Sequence, residues 1–103
     1  MEKAVSVEEI RSIVKAEEKV LLLIKTSNCT VCTAVEQQLN EFLHERIGLK
    51  AIKINIKDDQ KVSGEYMVLT APAVILFFQG KEIWRGARFI SFSELEQVLL
   101  KLN

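Results

Sequence analysis

Histidine, proline, tryptophan and tyrosine each occur once in this sequence, cysteine twice and glycine four times. The single histidine, His44, and the two cysteines leave a self-contained zinc site short of a tetrahedral ligand set, so on that side only a metal or cluster bridged by two chains stays open. Neither sign of charge is in excess. Fourteen basic and fourteen acidic side chains cancel, which removes the global field that recruits nucleic acid or an anionic membrane. The apolar runs are short, five residues at Val20 to Ile24 and six at Ala73 to Phe78, against about 20 for a bilayer-spanning helix. Acids stand in the N-terminal MEKAVSVEEIRSIVKAEEK where a secretory signal carries an apolar stretch. Internal repeats, low-complexity tracts and Pro/Gly/Ser linkers are missing as well. The expectation is one soluble domain over residues 1–103, cytoplasmic and monomeric, with neither nucleic acid nor membrane as partner.

What is present is enough apolar material for a core. With 49% apolar side chains in 103 residues, the chain needs no disulfide or metal staple. The two cysteines therefore need another reading. They stand in "SNCTVC", Ser27 to Cys32, just after the apolar run Val20 to Ile24. Where thiols are kept reduced, a lone CxxC is catalytic, redox-sensing or metal-binding more often than structural. A pair of small buried hydrophobes is the plainer alternative.

Hydrophobic spacing predicts the elements. Ser6-Val7-Glu8-Glu9 forms a capping box, with Val5 and Ile10 placed for a hydrophobic staple, and opens a helix ending near Glu17. Val20 to Ile24 is a strand buried on both faces. After the Thr26-Ser27-Asn28 turn, Val31, Val35, Leu39, Phe42 and Leu43 mark a long helix to about Arg46, stopped by Gly48. Ile52, Ile54 and Ile56 alternate with polar residues as a second strand, and Asp58 to Met67 is a short helix with Val62 and Tyr66 turned inward. Pro72 precedes the strand Ala73 to Phe78, and Gln79-Gly80-Lys81 turns it into a last strand, Glu82 to Arg88. Trp84 there reads equally as core or as a wet edge. Ser91-Phe92-Ser93-Glu94 is a second capping box, with Ile90 and Leu95 as its staple, opening a final helix to Leu102. A βαβ unit followed by ββα gives an α/β chain with a central mixed sheet and helices on both faces.

A strand, a CxxC opening a long helix and a lone proline before a ββα unit resemble the thioredoxin family, through nearly the whole chain. The resemblance implies a thioredoxin-like fold in which Cys29 is the nucleophile, Cys32 the resolving cysteine and Pro72 the cis-proline beside them. Lys53, in "AIKINI", matches the family's lysine on the strand next to the active site, and Tyr66 matches a tyrosine common before the proline. The departures are specific. Asn28 replaces the tryptophan of WCGPC, Thr30 and Val31 replace Gly-Pro, Leu23 stands where the family carries a buried aspartate, and Ala71 precedes Pro72 where isoleucine or threonine is usual.

The chemistry follows from position. Thiolate is the nucleophile and free cysteine has a pKa of about 8.5, so a site at a helix N-terminus, where N–H groups lack partners and the macrodipole is positive, favours Cys29 as the anion. Thr30 and Val31 tune that thiolate, and Lys53 stabilises negative charge if the sheet brings it near. Without an acid at Leu23, resolution by Cys32 is expected to be slow. The implied function is a thiol–disulfide oxidoreductase exchanging a Cys29–Cys32 disulfide with disulfide-containing protein substrates. A thiol reductant, either a reductase or a low-molecular-weight thiol, completes the cycle, and no cofactor or metal is expected. The departures keep a second expectation in view, an interaction or redox-sensing module on the same fold with little turnover.

Overall fold

A computed structural model of the chain describes residues 1–44 and 46–102. Its elements run β1 (Glu2–Lys3), α1 (Val7–Ala16), β2 (Lys19–Lys25), α2 (Thr30–Leu43), β3 (Lys50–Asn55), a 3₁₀ turn (Ile56–Asp58), α3 (Lys61–Glu65), β4 (Ala73–Phe78), β5 (Lys81–Ala87) and α4 (Phe92–Leu100). The five strands form one sheet in the order β1-β3-β2-β4-β5. β1, β3 and β2 are parallel, β4 runs antiparallel to β2, and β5 runs antiparallel to β4. No helix among the described residues is long and apolar enough to cross a membrane.

The alternation of each strand divides the core. Leu22, Ile24, Ile52, Ile54 and Ile75 face α1 and α3, where Val7, Ile10 and Val62 meet them. Leu21, Leu23, Val74, Leu76 and Trp84 face α2 and α4, against Val35, Leu39 and Leu95. Trp84 is thus core, and its indole N–H donates to Glu94 Oε1 at 2.6 Å. The β4–β5 hairpin closes on Gln79 (φ 51°) and Gly80 (φ 83°). Positive φ at both loop positions is the type I′ geometry that matches strand twist.

Four local expectations change. β1 joins the edge of the sheet through Glu2↔Ile52 and Lys3↔Lys53, a pairing too short to show as periodicity. α2 ends at Leu43, and the backbone turns extended at His44 (φ −60°, ψ 128°), ahead of the expected stop. Gly48, at φ 86°, serves the loop beyond, and Glu45 lies outside the described residues. The expected helix from Asp58 is broken by Asp59, whose carboxylate accepts from Val7 N–H at 2.9 Å and from Lys61 N–H at 3.1 Å. Those bonds hold Asp59 outside the helix and tie it to the start of α1, and they draw its carboxyl below the usual range, Val7 N–H contributing most. Finally, Val5 is 53% exposed, so it does not staple Ile10, while Ile90 does pack against the core that holds Leu95.

Candidate active site

The end of β2 sets the position of the cysteines. The chain leaves the sheet at Lys25, and Asn28 takes φ 54°, a left-handed conformation that asparagine tolerates better than most residues. That turn delivers Cys29 to the N-cap of α2, at φ −122° and ψ 103°. Cys29 and Cys32 are joined as a disulfide with Cα atoms 5.2 Å apart. Cys32 N–H donates to Cys29 Sγ at 3.1 Å, so one of the unpartnered amides of the helix start is aimed at this sulfur. Thr33 closes the turn through its N–H and Oγ1, which donate to Cys29 O at 3.1 and 3.3 Å. Cys29 is half-buried at the rim of a cleft formed by Lys25, Thr26, Thr30 and Asn55, whereas Cys32 is 1% exposed.

Pro72 and Ala71 come to the same end of the sheet. Ile24 pairs with Ala73, so the residues just before β4 lie beside the turn that carries the cysteines. The Ala71–Pro72 peptide bond is cis, and Pro72 is buried. Its carbonyl accepts from Arg88 N–H at 2.7 Å, which pins the β5–α4 loop to this edge. Thr30 and Val31 border a shallow groove with Gln38, Arg88 and Phe89. Phe89 is 85% exposed there.

Lys53 is placed by register. Leu23 pairs with Lys53, so both project toward the α2 side, while Ile52 and Ile54 point to the opposite core. Leu23 is fully buried and apolar, as its place in the sequence suggests. The carboxylate near this end of the sheet comes instead from α2. Glu36 Oε2 accepts from Lys53 Nζ at 2.6 Å and Glu36 Oε1 from Lys25 Nζ at 2.6 Å. Its side chain is 16% exposed. Burial by itself pushes the Glu36 carboxyl up, but the two lysine hydrogen bonds, with the charge behind them, outweigh burial and hold it below the usual glutamate range. Sequence reasoning passed over Glu36. The available signal was its spacing, four residues after Cys32 and hence on the same helix face. Tyr66, matched on resemblance, packs edge-on against Phe77 with ring centroids 5.9 Å apart, on the α1–α3 side of the sheet.

Comparison with known proteins agrees with this fold. A family model described as thioredoxin matches residues 2–100. The chain is similar to the thioredoxin-like protein YdfQ of Bacillus subtilis (strain 168), at 36% identity over 97 residues, covering 94% of this chain and 87% of that protein. Its fold is similar to the oxidised form of mitochondrial thioredoxin 3 from Saccharomyces cerevisiae, with TM-score 0.84 and 18% identity over 99% of this chain and 95% of that one. A Plasmodium falciparum thioredoxin superposes with TM-score 0.85 at 17% identity, covering 100% of both chains.

Proposed function

The chain belongs to the thioredoxin family and is a thiol–disulfide oxidoreductase; we propose that it exchanges the Cys29–Cys32 disulfide with disulfides of protein partners in the cytoplasm. The observation that carries this reading is the asymmetry of the pair: Cys29 is accessible at the start of α2, and Cys32 is buried behind it.

In the reductive direction Cys29 thiolate, stabilised by the helix start and the Cys32 amide, attacks one sulfur of the partner disulfide. The other partner sulfur leaves as a thiolate, and Cys29 is held in a mixed disulfide. Cys32 then loses its proton and attacks Cys29 Sγ, releasing the second partner sulfur as a thiolate. Two electrons have passed to the partner, and Cys29–Cys32 is oxidised. A reductase or a low-molecular-weight thiol returns the electrons. Pro72 and Ala71 line the edge along which the partner chain lies, and Thr30 and Val31 adjust the thiolate.

Proton removal from Cys32 has no strong base to draw on. Leu23 is apolar, and Glu36 is held as an ion-paired anion with a lowered pKa, a poor acceptor. The proton leaves to water or to the departing thiolate, so resolution is the slower half of the cycle. Glu36 and Lys53 act by keeping charge fixed beside the pair.

The test combines equilibrium and trapping. In thiol/disulfide buffers of graded potential, alkylation and mass spectrometry should show one reversible two-thiol transition, within the span of about −270 to −120 mV found for this fold. With a protein disulfide, Cys32→Ser should accumulate a mixed disulfide through Cys29, Cys29→Ser should form none, and the unmodified chain should show the adduct transiently. Thiols that never pair reversibly would leave a module that keeps its cysteines without cycling them.

A further inference from the structure

Two cavities meet at the carboxyl end of the parallel strands and share Lys25 and Asn55. One is the cleft at Cys29. The other, about 190 Å³ in volume, is lined by Lys3, Lys25, Lys53, Asn55, Lys57 and Asp58. Strand register builds it. Lys3 pairs with Lys53, Lys53 with Leu23, and Lys25 with Asn55, so these side chains fall on one face of three adjacent strands. Asn55 Nδ2 also donates to Ser27 Oγ at 3.2 Å, tying the cavity to the turn that carries Cys29.

The charge gathered here is out of balance with the chain. Fourteen basic and fourteen acidic residues cancel overall, yet four lysines line this one cavity, against Asp58 on its rim and Glu36 behind it. Lys25 and Lys53 are committed to Glu36. Lys3 and Lys57 are both exposed and form no ion pair among the described residues. Like charges held in a concave site repel one another, and the low-dielectric wall focuses their field outward. An anion relieves that repulsion.

We propose that this lysine cavity is an anion subsite of the exchange reaction, so that the disulfide presented to Cys29 belongs to a protein segment carrying carboxylates beside its cysteine. The proposal rests on the exchange reading above and adds its substrate class. Carboxylates docking against Lys3 and Lys57 steer the segment to the rim at Asn55 and Ser27, and the neighbouring cysteine reaches Cys29. A small carboxylate-bearing disulfide, such as oxidised glutathione, offers the same chemistry from another source.

The test uses the reduced full chain and two disulfide peptides of equal length, one with aspartates flanking the cysteines and one with asparagines. The aspartate peptide should react about tenfold faster at low ionic strength, and salt should erase the gap. Lys3→Gln combined with Lys57→Gln should slow the aspartate peptide severalfold and leave the asparagine peptide unchanged. Equal rates, or a gap that survives the double substitution, would overturn the proposal. So would a lysine dependence seen with oxidised glutathione and not with the aspartate peptide, because the anion would then come from a small thiol.

A second arm separates this subsite from turnover. An aspartate peptide with serine in place of cysteine, titrated into the oxidised chain, should shift the Asn55 and Lys57 amide resonances. Shifts without exchange of any disulfide would keep the subsite and fail the exchange reading. Exchange without shifts would fail the subsite alone.

Discussion

Glu36 is held by two lysines from different strands, and that makes it the residue on which the polar side of the site turns. Its two oxygens each take one ammonium group at 2.6 Å. Glu36→Gln removes the anion between Lys25 and Lys53 and leaves them facing each other, partly buried at 26% and 30% side-chain exposure. The expected cost is about 1–2 kcal/mol near pH 7, above the range for exposed pairs and below that for a fully buried one. The sign of its pH dependence is fixed by the direction of the shift. Glu36 has a folded pKa lowered from its unfolded value, so its contribution is present above the ordinary glutamate range, about 4.3, and is lost as pH falls through the lower folded value. Urea melts of the wild type and Glu36→Gln should differ at about pH 7 and converge as pH falls below the ordinary glutamate range of about 4.3. A gap unchanged in acid would assign the effect to side-chain shape instead of charge. Lys53 illustrates what sequence makes legible at this scale. Its alternation with three isoleucines reads as a solvated face, and only the pairing of Leu23 with Lys53 turns that face toward α2 and the cysteines.

At the scale of elements, the two serine caps were legible because everything they need lies within one turn of chain. Ser6 Oγ accepts from Glu9 N–H at 3.1 Å, and Ser91 Oγ accepts from Glu94 N–H at 3.2 Å. The return bonds differ, and there the local pattern runs out. Glu9 Oε1 reaches back to Val5 N–H at 2.8 Å, one residue before the cap, whereas Glu94 Oε1 is taken by the Trp84 indole across the β5–α4 corner. Ser6→Ala and Ser91→Ala should each lower stability by about 1 kcal/mol. In Ser91→Ala the Glu94–Trp84 bond is free to persist, so the tryptophan emission of the folded chain should stay where it is. Chemical denaturation followed by fluorescence checks both statements. An emission shift in Ser91→Ala alone would mean that the cap, and not the tryptophan contact, positions the start of α4. The elements that sequence did not resolve all depend on distant partners. β1 exists only through β3, α3 is shortened because Asp59 bonds to Val7, and the strand order is set by pairings that no local spacing carries.

For the whole molecule the sheet is the shared wall of two cores, and that predicts how the chain comes apart. Leu22 and Leu23 are neighbours in β2, both fully buried, yet Leu22 belongs to the core under α1 and α3 and Leu23 to the core under α2 and α4. β4 divides in the same way, Ile75 to one side and Leu76 to the other. Losing either core strips one face from β2 and β4 at once and exposes strands whose hydrogen bonds hold the other. The chain should therefore unfold as one cooperative unit, as a single domain does. Leu22→Ala removes side-chain volume from the α1–α3 core and should cost about 2–5 kcal/mol, a large part of the 5–15 kcal/mol typical of a domain. Trp84, the only tryptophan, sits in the opposite core. If the two cores are one unit, the denaturant midpoint read by Trp84 fluorescence moves in Leu22→Ala as far as the midpoint read by far-ultraviolet circular dichroism. A Trp84 midpoint that stays put while the dichroism midpoint falls would mean that the face carrying the cysteines holds together without the other, and that the site stands on half of the fold.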